Sequence, residues 1–192
     1  LISCMKCTPC LSGNKHVCNT LGLFGIDTDG GMAEYVLIPE DQLIKIPDNM
    51  SYKLGALLEP IAVAVHTLRE TDFKPGDNAI VFGCGTIGLC VALTLRNFGC
   101  GDILLAETDP ARIAVARDMG FEVINPASDS LSDAVKRHTG ADGFDHVYDC
   151  AGAAAVANCL LDVVKVRGEI VIVASYKKPT ELPLFKGMAK ET

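Results

Sequence analysis

The chain has 192 residues, 49% of them hydrophobic, with 18 glycines, 9 prolines and a formal net charge of −7. That balance suits a well-buried α/β domain rather than disorder, and it leaves no excess of Lys and Arg to neutralise nucleic-acid phosphates. No apolar run approaches the ~20 residues that cross a bilayer and no stretch reads as a signal peptide, although Leu1 is not an initiator methionine, so the true N-terminus is expected upstream.

Nine cysteines divide into two populations. Cys4, Cys7, Cys10 and Cys18 crowd into fifteen residues at the spacing C-x2-C-x2-C-x7-C. Four thiolates so placed can surround one ion tetrahedrally, and with all four positions filled a Zn²⁺ there is structural rather than catalytic. Disulfides and an iron–sulfur cluster compete with that reading. C-x2-C-x2-C also opens ferredoxin motifs, but there the fourth cysteine follows after three residues and precedes a proline; here it follows after seven and precedes Asn19. Cys84, Cys90, Cys100, Cys150 and Cys159 are scattered through apolar surroundings, as expected of small buried hydrophobes in a reducing, cytoplasmic setting.

Residues 22–50 read as β-rich. Asp29-Gly30-Gly31 signals a turn, followed by strand-like Ala33–Ile38 and Leu43–Ile46, with Glu34 a surface acid and Tyr35 a packed aromatic. From Tyr52 to Arg69 the pattern is helical, with a break expected at Glu59 because Pro60 follows it. An acid among Leu57, Leu58, Ile61 and Ala62 is costly unless capped, paired or bound to metal; N-terminal capping is the plainest explanation. His66 on the same helix reads as a satisfied core histidine rather than a ligand.

Lys74-Pro75-Gly76-Asp77 then turns into the stretch on which the rest depends. The apolar run Ala79–Phe82 leads into Gly83-Cys84-Gly85-Thr86-Ile87-Gly88, followed by a helix-forming apolar run. Gly83 permits the turn, Gly85 lets the backbone approach a pyrophosphate, and Gly88 lets helix and strand pack closely. A second strand, Ile103–Ala106, delivers Glu107 nineteen residues after Gly88. There a carboxylate accepts the ribose hydroxyls of NAD and repels the 2′-phosphate of NADP; the competing reading is a solvated loop acid.

Further elements alternate regularly. A helix starts at Asp109-Pro110 and runs to Gly120; Phe121–Ile124 is a third strand; Ser132–Thr139 is a surface helix with a solvated His138. Phe144–Asp149 is a fourth strand ending in Cys150-Ala151-Gly152. A helix over Ala153–Val166 is followed by a turn at Gly168-Glu169 and a fifth strand, Ile170–Ala174. The alternation predicts an α/β fold with a doubly wound parallel sheet of Rossmann type, its ligand beyond the C-terminal strand ends at Gly83–Gly88, Glu107, Cys150–Gly152 and Ala174–Ser175.

The four-cysteine lobe, Gly30–Val36, Glu59-Pro60-Ile61-Ala62-Val63-Ala64-Val65-His66, Lys74–Asp77, the glycine motif and Glu107 with Arg112 together resemble the zinc-dependent medium-chain alcohol dehydrogenases. The likeness is greatest to their polyol branch, which includes sorbitol, threonine and butanediol dehydrogenases, and it covers essentially the whole chain. The resemblance implies that residues 1–58 are part of a GroES-like catalytic domain with a structural zinc lobe, and 59–192 an NAD-binding domain lacking its last strand. It implies that Cys4, Cys7, Cys10 and Cys18 hold structural Zn²⁺ and that Glu59 serves the catalytic zinc of the complete enzyme. It further implies that Gly83, Gly85, Thr86, Ile87, Gly88, Glu107, Arg112, Cys150, Val173, Ala174 and Ser175 line the NAD site. The activity implied is hydride transfer between NAD and a small-molecule alcohol, polyol or hydroxy amino acid, by a homo-oligomer with no nucleic-acid or membrane partner. Family members also carry a catalytic Cys and a His-Glu pair upstream of the cysteine lobe, so the chain is expected to be an internal fragment, inactive alone. Two other readings stay open at this point, an NAD-binding module without catalysis and an iron–sulfur electron-transfer protein.

Overall fold

Ala79, Ile80, Val81 and Phe82 are all buried, which a strand achieves only in the middle of a sheet covered on both faces. In the computed structural model, which describes residues 1–192, they form β1 (Asn78–Phe82). It is the central strand of a five-stranded, wholly parallel sheet with β2 (Asp102–Ala106), β3 (Glu122–Ile124), β4 (Phe144–Asp149) and β5 (Val164–Ile172). The order is β3-β2-β1-β4-β5, with Val81 registered against Leu105 on one side and Tyr148 on the other.

Side-chain alternation along β1 splits the core in two. Ala79 and Val81 face a layer containing Ala64, Leu68, Val91, Leu95, Leu105 and Tyr148. Ile80 and Phe82 face Leu104, Phe144, Val147, Leu160 and Val163. The helices covering the sheet are α3 (Leu58–Arg69), α4 (Thr86–Asn97), α5 (Pro110–Asp118), α6 (Leu131–Thr139) and α7 (Ala154–Val163). Their ends follow local chemistry: Asp109 Oδ1 accepts the Arg112 N–H at 3.0 Å with Pro110 in the first turn, and Ser130 Oγ accepts the Asp133 N–H at 3.2 Å. Gly140 closes α6 in the left-handed region. No helix is long and apolar enough to cross a membrane.

The chain divides into two compact units, Leu1–Asn49 and Met50–Thr192. Within Leu1–Asn49 the regular structure is one helical turn, α1 (Thr8–Leu11), two 3-10 turns, and the bridges Ile2–Gly22 and Phe24–Thr28. The runs Ala33–Ile38 and Leu43–Ile46, expected as strands, form none. Their alternation has no partner strand within the unit to pair with, and Tyr35, Leu37 and Ile44 are exposed rather than packed. The only buried residues of this unit are Cys10 and Cys18.

Met50–Thr192 opens with α2 (Tyr52–Gly55), capped by Ser51, and closes with α8 (Leu184–Lys190). The helix break falls at Ala56–Leu57, earlier than expected, because Pro60 sits in the first turn of α3, where a missing N–H costs nothing. Glu59 is exposed in that same turn, so it bears no burial penalty and suits the helix dipole. His66 is also exposed, 3.7 Å from Glu70, rather than in the core. His138, expected in solvent, instead has its side chain buried at 8% exposure, with Nδ1 2.5 Å from Asp102 Oδ2 and Nε2 3.2 Å from Glu122 Oε1. Tertiary packing brings those two acids, the first residues of β2 and β3, under α6. His146 is held likewise between Asp77 (3.0 Å) and Glu169 (3.1 Å).

Helix α7 also ends earlier than expected, at Val163, and the chain enters β5 at Val164. Val164 pairs with Phe144 and Glu169 with His146, so Lys165–Gly168 bulge opposite Asp145. Two glycines permit this approach: a Cβ on Gly143 would lie 2.7 Å from the Lys165 nitrogen, and one on Gly168 would lie 2.9 Å from the Asp145 carbonyl. An ion pair between Lys165 and Asp145 spans the bulge. The cysteines are all free. Burial pushes the thiols of Cys84, Cys100 and Cys150 up to about 12, so these behave as neutral apolar groups.

The tightest point lies between strand and helix. A Cβ on Gly88 would sit 1.9 Å from the Gly83 carbonyl oxygen, whereas one on Gly85 would meet nothing within 4 Å. Gly88→Ala is therefore expected to destabilise the chain by about 3 kcal/mol or more, read as a fall in the urea midpoint. Gly85→Ala is expected to leave that midpoint unchanged.

Candidate functional site

Strand order reverses between β1 and β4: β2 and β3 lie on one side of β1, β4 and β5 on the other. A crevice opens at such a reversal, beyond the C-terminal strand ends. Gly83 turns out of β1 at φ +97°, and a Cβ there would press within 3.2 Å of the Cys150 and Ala151 backbone at the end of β4. Gly85 is the N-cap of α4, with open space where a side chain would be. No side chain caps α4, which leaves the amides of its first turn for an incoming ligand. Thr86 is exposed at the head of that helix, and Ile87 packs half-buried against the core beneath it. An approachable backbone, donor amides and the positive end of a twelve-residue helix together suit an anionic group such as a phosphate.

Glu107 follows β2 and is buried at 8% exposure. Its Oε2 accepts the Cys84 N–H at 2.9 Å, and its Oε1 accepts the N–H groups of Thr108 (2.7 Å) and Asp109 (3.0 Å). Burial pushes this carboxyl up, but the amides of Asp109, Cys84 and Thr108 and the Arg112 guanidinium outweigh it and hold it below the ordinary 4.5. Arg112 Nη1 stands 3.8 Å from Oε2 on the exposed side. Glu107 is thus no solvated loop acid. It clamps the glycine turn from beneath while staying ionised, and an ionised carboxylate retains acceptor capacity beyond three donors.

On the other side of the reversal, the Asp149 carbonyl accepts the N–H groups of Val173 and Ala174, both at 2.9 Å. This sets Val173, Ala174 and Ser175 beside Cys150–Gly152. The Asp149 side chain is fully buried, accepting from Ala151 and Gly152 N–H at 2.9 and 3.0 Å and from the Tyr176 hydroxyl. Neither Asp149 nor Tyr176 stands out as a site residue in the sequence. The one available signal is an acid terminating an otherwise apolar strand, which reads equally well as a strand end.

In Leu1–Asn49, the Sγ atoms of Cys4, Cys7, Cys10 and Cys18 all lie within 4.8 Å of one another. Cys7 Sγ is 3.4 Å from that of Cys10 and 3.8 Å from that of Cys18. Four sulfurs about 2.3 Å from one zinc ion stand about 3.8 Å apart, so the donor set fits a tetrahedral ion. Backbone N–H groups point at the sulfurs: Cys4 and Thr20 donate to Cys18 at 3.3 and 3.4 Å, and Cys7 donates to Cys4 at 3.3 Å. The amides of Cys4 and Thr20 bring the Cys18 thiol down to about 6, and those of Lys6 and Cys7 lower Cys4. Burial, then the neighbouring thiols, push Cys10 up to about 12. With all four ligands gathered so closely, a cation is what lets Cys10 ionise alongside the others. Glu59 belongs to no cluster of three or more metal-ligating side chains; the four cysteines are the one such cluster.

Comparison with known proteins agrees with this geometry. Residues 86–192 match the family profile described as zinc-binding dehydrogenase, and residues 1–48 match the alcohol dehydrogenase GroES-like domain. The chain is 38% identical over 163 residues to (R,R)-butanediol dehydrogenase of Bacillus subtilis, covering 84% of this chain and 46% of that protein. It is 32% identical over 196 residues to L-idonate 5-dehydrogenase of Vitis vinifera, covering 99% and 54%. A protein of Sinorhizobium meliloti 1021 described as a zinc-binding dehydrogenase, its structure bound to NADP, superposes with a TM-score of 0.89 at 29% identity, covering 99% of this chain and 57% of that one. The chain spans about half the length of the curated relatives it matches. With the profile covering more than half of its residues and the cysteine cluster and glycine turn in place, the chain belongs to the zinc-binding dehydrogenase family.

Proposed function

We propose that this chain carries the dinucleotide site and the structural zinc lobe of an NAD-dependent alcohol or polyol dehydrogenase. The observation that carries the reading is the ionised, buried Glu107 beneath a glycine turn whose Gly85 leaves room for a pyrophosphate. Gly83, Gly85, Thr86, Ile87 and Gly88 bind the pyrophosphate, Glu107 and Arg112 the adenosine ribose, and Cys150 with Val173, Ala174 and Ser175 the nicotinamide half. The negative charge at Glu107 favours NAD over NADP, since a 2′-phosphate there would face a carboxylate. Substrates of the complete protein are small alcohols, polyols or hydroxy amino acids, and it works as a cytoplasmic homo-oligomer without nucleic-acid or membrane partners.

Cys4, Cys7, Cys10 and Cys18 hold zinc for structure, because their unit buries nothing else. Glu59 is assigned to the catalytic zinc of the complete protein, where such an ion acts as Lewis acid on the alcohol oxygen. A catalytic zinc needs about three protein ligands, and Glu59 lies in no cluster that supplies them. A non-catalytic dinucleotide-binding module is the second reading, favoured by that same isolation of Glu59.

Four outcomes are expected. Elemental analysis of the purified chain finds about one zinc and no iron, and chelation exposes Leu1–Asn49 to proteolysis while Met50–Thr192 stays folded; iron with acid-labile sulfide would restore the electron-transfer reading. NADH binds more tightly than NADPH, and Glu107→Gln weakens NADH by about tenfold, about 1.4 kcal/mol, while narrowing that preference; equal affinities in the unaltered chain would remove the NAD assignment. Because Glu107 is held below 4.5, its contribution to stability is complete above that pH and is lost as pH falls through its lower folded value; Glu107→Gln is expected to flatten that acid limb in denaturation curves. Across a polyol panel the 192-residue chain alone shows no turnover, and measurable NADH production would show that it assembles a catalytic metal site after all.

A further inference from the structure

The fully buried Asp149 side chain is used by neither the phosphate cradle nor the ribose clamp. Its Oδ1 accepts two N–H groups of the turn after β4, from Ala151 at 2.9 Å and Gly152 at 3.0 Å. Its Oδ2 accepts the Tyr176 hydroxyl, and its carbonyl accepts the Val173 and Ala174 N–H groups at 2.9 Å. One residue thus binds both backbone segments at the β4–β5 side of the crevice. The two segments also touch directly: Gly152 stands at φ +65°, and a Cβ on it would fall 3.0 Å from the Ser175 carbonyl oxygen.

Tyr176 is the one side chain reaching Asp149 from beyond β5. Tyr176 also lines a cavity of about 420 Å³ whose walls mix Ala157, Ile172 and Leu182 with Lys177, Lys178 and Thr180. Burial, then the Asp149 carboxylate, push its hydroxyl above its ordinary value, so it stays a donor at any physiological pH. Without that donor, a buried carboxylate oxygen would lose its partner.

Sheet order says which half of a ligand this serves. A dinucleotide whose pyrophosphate sits at the end of β1 extends both ways from the reversal, one half over β2 and Glu107, the other over β4 and β5. We infer that Asp149 and Tyr176 are positioning residues, a latch that holds Cys150–Gly152 and Val173–Ser175 in the arrangement that receives the nicotinamide half. This rests on the dinucleotide reading above.

The test is Tyr176→Phe in the full 192-residue chain, titrated with ADP-ribose by calorimetry and with NADH by nicotinamide fluorescence. ADP-ribose carries the adenosine half and the pyrophosphate but no nicotinamide. The expected result is ADP-ribose affinity unchanged within about twofold, NADH weakened by about tenfold, its bound-state emission enhancement lost, and faster amide exchange at Val173 and Ala174. A merely structural role would move both ligands together or neither. Unchanged NADH affinity and emission in Tyr176→Phe overturns the latch while leaving the dinucleotide site standing. An unaltered chain that binds neither ADP-ribose nor NADH overturns the dinucleotide reading itself, and the latch with it.

Discussion

The Gly83 carbonyl occupies the space where a side chain on residue 88 would begin. That contact sets how closely α4 docks on the end of β1, and the rest of the site follows from it. Close docking forces a left-handed turn at Gly83, which presses against the backbone after β4. It also presents the first turn of α4, uncapped by any side chain, to the crevice. A Cβ at Gly88 would displace strand, turn and helix together, because parallel strands buried on both faces have no slack to absorb the shift.

Glu107 and Asp149 solve the same problem on either side of β1. Each is a buried acid after or at the end of a strand, and each is satisfied by backbone N–H groups rather than by an enclosed cation. Amide donors let a carboxylate stay buried and charged while fixing loop geometry. At the opposite edge of the sheet the arrangement differs. His138 lies between the first residues of β2 and β3, and His146, within β4, lies between Asp77 ahead of β1 and Glu169 of β5. Charge at that edge ties strand to strand; charge at the crevice edge holds the loops beyond the strands.

The Leu1–Asn49 unit illustrates another limit. It has few regular elements and buries only two side chains, both cysteines. A segment this short cannot offset its conformational entropy by apolar burial. The four sulfurs supply the organising centre that a hydrophobic core would otherwise provide.

Sequence by itself determined the strand–helix alternation, the parallel sheet, the glycine turn with its acid at the next strand end, and the cysteine cluster. These are legible because each rests on local chemistry: periodicity, a required backbone angle, a short ligand spacing. Tertiary structure alone decided the fate of isolated polar residues. In sequence, His138 lies on a polar helix and reads as solvated, whereas His66 lies among apolar residues and reads as part of the core. Only the sheet edge beneath α6 buries the side chain of the first and leaves the second exposed. Tyr35 and the runs around it alternate like strands, yet pairing depends on a partner that periodicity cannot supply. The bulge in β5 and the junction of Asp149 with Tyr176, 27 residues apart, are equally invisible locally. Burial and pairing are properties of what the rest of the chain brings alongside, and no stretch of sequence carries its neighbours with it.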